Sequence, residues 1–314
     1  MSTKGPFGIE IDGSTTNKTW NANSTTANKT AYGDEDGYEA AVGEQLALIQ
    51  KSQVGLIILS LFQNIGHKLT IVPYTDLDSY HQNDRCNSFP RADDIRASHP
   101  NGQYWFNNPE GEDQRVSRFE QSAAKGTGGG SDVKLHFTPG MWGNKDPKKQ
   151  APCDNGGKYG ARADDVLVHE LIHTLRKMEG NENAIPTEDK LRGYDDDEEF
   201  LAIVTTNVYI SATKRNDQLR ADHHGFNALA APLNTSQGFL ADSDNLSMLV
   251  KYYIDEADLY QMVALVTETE AKFNPFRELV FNGATYRHPE IKLSPRAVVL
   301  AAFGACPRSI TECR

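Results

Sequence analysis

The sequence predicts an α+β fold, mainly helical, with a small sheet beside one central helix. Three observations predict it. Apolar residues at helical spacing recur along most of the chain, and only residues 68–74 and 132–138 alternate as strands do. The second alternating segment leads, through a loop with Pro147, Pro152 and Gly156-Gly157, into a capped amphipathic helix at 166–178. A chain of 314 residues is long enough to bury a sizeable core. The expected division is an N-terminal arm, residues 1–36, followed by a single domain, residues 37–314.

Taken in order, residues 13–37 are rich in Ser, Thr, Asn and Gly, too little apolar surface to offset ordering entropy, and read as a mobile arm. From 38 to 65, Ala41, Leu46, Ile49, Leu56, Leu59 and Phe62 follow a helical period, with Gly55 as the expected break. Residues 68–74 then read as a strand ending at Pro73. Residues 75–131 are polar and turn-rich and close on Gly126-Thr-Gly-Gly-Gly-Ser131. That run lacks the Lys-Ser/Thr ending of a phosphate-cradling loop, so it reads as a flexible hinge. In 132–138, Val133, Leu135 and Phe137 share one face.

Asp164 and Asp165 favour a helix start, and Gly180, with Arg176 and Lys177 in the last turn before it, marks the stop. A second acidic start, Asp195 to Glu198, precedes a helix at 199–213. Later helices are expected at 246–253, 257–271 and 295–303.

The formal charge of −11 argues against nucleic acid as a partner, because phosphate contacts need a basic surface. Residues 1–12 lack the apolar core of a Sec signal, and the longest apolar run, 54–62, is far shorter than a bilayer span, so stable membrane insertion is not expected. Cys86, Cys153, Cys306 and Cys313 have no zinc-knuckle spacing. Bridges 306–313 and 86–153, or four free thiols, both fit that spacing.

The chemistry lies in His169-Glu-Leu-Ile-His173. Positions four apart stand one helical turn apart on one face, so both imidazoles can grip a single ion. Glu170 lies beside the first ligand, where it can reach a metal-bound water as general base. Val168, Leu171, Ile172 and Leu175 would anchor the other side of the helix. A catalytic zinc needs a third protein ligand and an open position. The metzincin continuation His-x-x-Gly-x-x-His is absent from 174–179, and so is a Gly-Thr-x-x-Asp element. Glu198 and Glu199 remain, at the start of the next helix, with 180–194 long enough to reverse the chain.

His169-Glu-Leu-Ile-His173 followed by Glu198-Glu199-Phe200-Leu201 resembles the clostridial neurotoxin light chains and the NleD-like zinc metallopeptidases of bacterial secreted effectors. The stretch 129–139 also resembles the strand before the active helix in the effector group. The likeness covers roughly residues 126–213. It implies a zincin-like, gluzincin-type metallopeptidase fold and a Zn2+ cofactor, held by His169, His173 and Glu199. Glu198 would support from outside, and a helix registered differently would present Glu198 instead. The neurotoxin continuation after the Glu pair is replaced by Ala202-Ile-Val-Thr205, and the late Arg and Tyr of those toxins have no clear match, so neurotoxin substrates are not implied.

Among the other residues, His223-His224 is a pair whose side chains should diverge, so the two are not expected to share one ion, though one ring could donate to a developing oxyanion. Tyr209 and Tyr286 are rival donors. His67, His81, His99, His136 and His288 read as structural. The expected function is zinc-dependent endopeptidase, with Glu170 as general base. The resemblance adds export by a specialised secretion system to act as an effector or toxin in a host or target cell. Implied partners are a protein or peptide substrate and an immunity protein or secretion chaperone. A zinc amidase acting on cell wall, or a non-enzymatic protein with a structural zinc closed by a fourth ligand, are the alternatives.

Overall fold

The computed structural model describes residues 3–14, 35–74, 88–107, 113–116, 124–142, 158–183, 193–223, 225–255 and 257–294. Five short strands make a mixed sheet in the order β1 (Thr3–Lys4), β2 (Glu10–Ile11), β3 (Leu69–Val72), β8 (Val133–His136), β4 (Phe89–Ala92). The β2, β3 and β8 strands are parallel, and the two flanking strands run against them. Leu69 pairs with Val133 and Ile71 with Leu135, so the alternating apolar residues of both predicted strands share one buried face. A second sheet has the order β6 (Asp113–Val116), β5 (Tyr104–Asn107), β7 (Ala124–Lys125).

Two of these strands correct the expected arm. Residues 3–11, which fall inside the expected arm of 1–36, contribute β1 and β2, and Ile9 and Ile11 are buried in the core. Two isoleucines in a polar stretch are too few to register as a period, yet they suffice to extend an existing sheet. Strand β4 was hidden for another reason. Phe89-Pro-Arg-Ala92 contains a proline, which a strand tolerates at a sheet edge, where β4 stands.

Helix α1 (Glu35–Ile49) buries Tyr38, Val42, Leu46 and Ile49, one stripe at helical spacing. The break expected at Gly55 falls earlier, at 50–52. Ser52 caps α2 (Gln53–Leu61) by accepting from Gly55 N at 2.9 Å, and the two helices meet at a bend of 118°. Gly55 sits inside α2 because a Cβ there would lie 2.1 Å from Ile49 O. Among the described residues no single helix is long and apolar enough to cross a bilayer.

After the single turn α3 (Ile95–Ser98) come the two helices that organise the molecule, α4 (Ala163–Glu179) and α5 (Asp197–Ala212). Every residue of α4 from 164 to 178 is buried except His173, and α4 packs on β4, β8, α1 and α5. Gly180, at φ 73°, closes α4 by donating to the carbonyls of Arg176 and Lys177, the expected stop. Helix α5 begins at Asp197 rather than at the expected Glu199, because Asp196 caps it by accepting from Glu199 N. The last four helices are α6 (Ser236–Ala241), α7 (Ser243–Asp255), α8 (Ala257–Ala264) and α9 (Pro275–Phe281). A row of rings, Phe200 against Phe239 and Phe239 against Phe273, ties them to α5. The helix expected over 257–271 stops at Ala264. The carbonyls of Val263 and Val266 accept instead from the side chains of Asn274 and Arg277.

The glycine run is a packed element rather than a flexible hinge. The backbone N–H groups of Gly126, Thr127, Gly128 and Gly130 donate to the carbonyls of Gln103, Arg96, His99 and Ala97. Glycine is required because this segment crosses the end of α4. At Gly130, φ 74°, a Cβ would stand 2.0 Å from Met178 O, and at Gly180 it would stand 2.6 Å from the carbonyl carbon of Gly128. The four cysteines, His81, His224, residues 15–34 and the expected helix 295–303 lie outside the described residues.

Gly130→Ala is expected to destabilise by about 2–5 kcal/mol, from a Cβ-bearing residue in the left-handed region and from overpacking against α4. Gly129→Ala, where a Cβ meets nothing within 4 Å, should stay within about 0.5 kcal/mol. Denaturant unfolding midpoints compare them directly, and equal midpoints would disprove the packing role.

Candidate metal centre

Helices α4 and α5 lie antiparallel, and buried polar bonds pin them at both ends. At the start of α4, Tyr209 Oη from α5 donates to Asp164 Oδ2 at 2.9 Å, and Arg215 makes a two-pronged pair with Asp165 at 2.6 and 2.7 Å. At the other end, Arg176 Nε donates to Glu198 Oε2 at 2.5 Å, and Asn183 N donates to Glu198 Oε1 at 2.7 Å. Both partners of the Arg176–Glu198 pair are almost wholly buried.

That pairing turns the next residue, Glu199, towards the two histidines. His169 Nε2 is 3.2 Å from His173 Nε2 and 3.2 Å from Glu199 Oε2, and His173 Nε2 is 3.4 Å from Glu199 Oε1. Glu198 therefore faces away, on Arg176. The acidic run before α5 is engaged rather than merely solvated: Asp197 binds Lys251, Asp196 caps the helix, and Asp195 meets a histidine.

That histidine is His223, which comes from a loop after α5. Its Nε2 lies 3.3 Å from Glu199 Oε2, and its Nδ1 lies 2.6 Å from Asp195 Oδ2. The ring is parallel to that of His169, to within 9°, at 5.9 Å between centroids. Ligand atoms of His169, Glu199 and His223 all fall within 4.8 Å of one another. Sequence spacing weighed against a His223-His224 metal pair, and only His223 of the two is described, but a loop return of this length leaves no mark in a local pattern. Of the rival donors, Tyr209 is spent on Asp164 and Tyr286 donates to Glu278, so neither reaches the cluster. His67, His99, His136 and His288 stand elsewhere, on Gly129 O, Glu182, the Phe89 ring and Glu290.

The charges show what the cluster is suited to hold. Burial pushes His169 down to about 3, which keeps it in the neutral form that ligates metals. Burial opposes charge on His173 too, but the Glu199 and Glu170 carboxylates outweigh it and raise it to about 9. Burial would also lift Glu199, yet His223, His173 and His169 together hold it well below the usual carboxylate range. Glu170 is different: it is 8 % exposed, its carboxylate takes no hydrogen bond from any described residue, and burial lifts it to about 8.

The donor set fits zinc. Ligand atoms around a tetrahedral ion with bonds of about 2.0–2.1 Å stand about 3.3–3.4 Å apart, the spacing found here between nitrogen and carboxylate atoms. Glu199 Oε2 is buried and accepts no well-angled hydrogen bond among the described residues, although two imidazole nitrogens face it. An ion between these groups would satisfy that oxygen.

A buried, solvent-screened cation also sits beside the cluster. Arg220, 4 % exposed, lies over the Phe226 ring at 4.0 Å, and its charge acts on both Glu199 and Glu170. No sequence motif marks it. Neither a family model nor a curated protein matches the chain, so function is read here from side-chain geometry.

Glu198→Ala, which strands the buried Arg176 charge, is expected to cost about 3–5 kcal/mol, whereas replacing both partners by Leu and Met should recover most of it. Chemical denaturation of the three proteins tests this; a single variant as stable as the parent would remove the pair from its organising role.

Proposed function

We propose that the chain is a zinc-dependent endopeptidase, held to the gluzincin type by two helix histidines and a glutamate from the following helix. The observation that carries this reading is Glu170: a buried carboxylate that takes no hydrogen bond from any described residue, one residue from His169. A structural metal site gives no reason to bury such a group, whereas a general base for water requires it.

In this reading His169, His173 and Glu199 hold the metal. When bound, the ion supplies an acidic water and polarises the scissile carbonyl. Glu170 removes the proton from the attacking water at its carboxylate oxygen and delivers it to the leaving amide nitrogen, so the C–N bond breaks as the amine is protonated. Burial raises the proton affinity of Glu170 above that of an ordinary carboxylate, which suits it to take that proton and pass it on. His223, oriented through Nδ1 by Asp195, in its doubly protonated form presents Nε2 as hydrogen-bond donor where charge develops on the carbonyl oxygen. The substrate is a protein or peptide. The expected zincin-like fold is not part of the proposal, because the small five-stranded mixed sheet fits the coarse α+β class and not a zincin. Kinship to NleD-like effectors, export by a specialised secretion system, action as an effector or toxin in a host or target cell, and pairing with an immunity protein or secretion chaperone do belong to it, supported by the His-Glu-Leu-Ile-His and Glu-Glu pattern. A cell-wall amidase would use the same groups, and digestion of protein against peptidoglycan separates the two.

One observation favours a second reading. Metal-bound histidines ordinarily donate their far nitrogen to a carboxylate or carbonyl. His223 Nδ1 has such a partner in Asp195, while His169 Nδ1 is buried without one among the described residues. A site closed by His223 as fourth ligand would be structural.

Glu170→Gln is expected to keep one zinc per chain and lose at least about a hundredfold in peptide hydrolysis. His169→Ala and Glu199→Ala should lose both. His223→Ala decides between the readings: it should retain zinc with hydrolysis lower by about 100–1,000-fold. Metal analysis showing zinc lost from His223→Ala, or near-parental hydrolysis by Glu170→Gln, would reject the enzyme.

A further inference from the structure

We infer that Arg220 is a positioning residue whose side chain holds His223 at the metal centre, so that His223 and Glu199 are both referenced to α5. The role rests on the hydrolytic reading above for its effect on rate, and on geometry alone for its effect on His223.

The geometry is as follows. Asn207, two turns along α5 from Glu199, grips the Arg220 backbone from both sides: Asn207 Nδ2 donates to Arg220 O at 2.8 Å, and Arg220 N donates to Asn207 Oδ1 at 2.7 Å. From that fixed backbone the Arg220 side chain curls forward. Its Nε donates to the carbonyl of Asp222 and its Nη2 to the carbonyl of His223. The guanidinium plane is supported by the Phe226 ring beneath it, and Gly160 leaves room for the stem, since a Cβ there would lie 3.0 Å from Arg220 Cδ. The rest of the turn is closed by Asp222, which accepts from Gly225 N and Asn227 Nδ2, and by the Ala221–Asn227 and Leu229–Leu219 backbone bonds. The His223 ring thus has three restraints: its own carbonyl on Arg220, its N–H on Gly193 O at 2.7 Å, and Nδ1 on Asp195.

Only arginine meets these needs together. Two adjacent carbonyls are reached by a planar fork, and the same plane must stack on an aromatic ring. The lysine ammonium is a point donor on a flexible stem and does neither. Leaving the two carbonyls without their donor frees the 222–223 segment to move, and displacements near 1 Å at a reacting centre cost about a hundredfold in rate.

The experiment has two arms. In the zinc-loaded protein, Arg220→Lys should keep its metal and its KM to within about threefold and lower kcat by about 10–100-fold. The double variant Arg220→Lys with His223→Ala should be no slower than His223→Ala alone, to within about threefold, because both changes remove one function. Losses that multiply, or an Arg220→Lys protein with parental kcat, overturn the assignment. In the metal-free protein, nitrogen-15 NMR of the imidazoles should show the His223 Nδ1 resonance shifted and broadened by Arg220→Lys, with His169 and His173 unchanged; a His223 signal identical to the parent overturns it. This arm holds even if the parent hydrolyses nothing, which would defeat the enzymatic reading and leave the positioning role standing. Should Arg220→Lys fail to fold, Phe226→Leu removes the ring under the guanidinium and should shift His223 in the same direction by less, and an unmoved signal there also counts against the proposal.

Discussion

The buried Arg176–Glu198 pair sets the register between the two central helices, and the approach of Glu199 to His169 and His173 follows from it. Arg176 lies three residues beyond His173 and Glu198 one before Glu199, so one contact fixes how far α5 has slid along α4. A single-residue slip would rotate α5 by about 100° and shift it by about 1.5 Å, taking Glu199 out of reach of either imidazole. Buried ion pairs contribute little net stability, because desolvation offsets most of their attraction. Their effect here is to exclude alternatives: any other register leaves a guanidinium without its carboxylate inside the core. The Asp165–Arg215 pair and the Tyr209–Asp164 bond apply the same restraint at the opposite end.

Around this pair the rest of the fold acts as a support. The sheet and α1 cover one flank of α4, the ring row from Phe200 to Phe273 binds the C-terminal helices to α5, and the glycine run closes over the end of α4. The centre consequently opens at the edge of the α4–α5 interface, where His173 and Glu199 keep partial exposure while Glu170 stays buried.

Much of this was legible in the sequence where the signal is local. The i, i+4 histidines, the acidic start and glycine stop of α4, and the alternating residues of β3 and β8 are all short-range patterns, and the observed elements differ from the expected ones by a few residues. What escaped depends on distant partners. β1 and β2 exist because β3 offers them an edge, β4 because proline is tolerated at one, and the glycines because a helix end passes within contact distance. His223 and Arg220 are the clearest cases: 50 residues of chain separate His223 from His173, and nothing in Arg220's neighbours distinguishes it from a surface arginine. The glutamate pair, by contrast, was readable as a pair but ambiguous in phase until Arg176 was seen to claim Glu198.

The double hold of Asn207 on the Arg220 backbone has a consequence for how the molecule tolerates thermal breathing. Glu199 stands on α5, Asp195 just before it and His223 on the loop after it that Asn207 ties back to the helix, whereas His169, Glu170 and His173 stand on α4. The centre is therefore two rigid jaws rather than six independent side chains, and small librations of either helix carry each set along intact. Because buried bonds join the two helices at both ends, the two sets keep their spacing only as long as those joints hold, so a substitution at Asp165 or Tyr209, far along the helices, would be felt at the histidine–glutamate cluster.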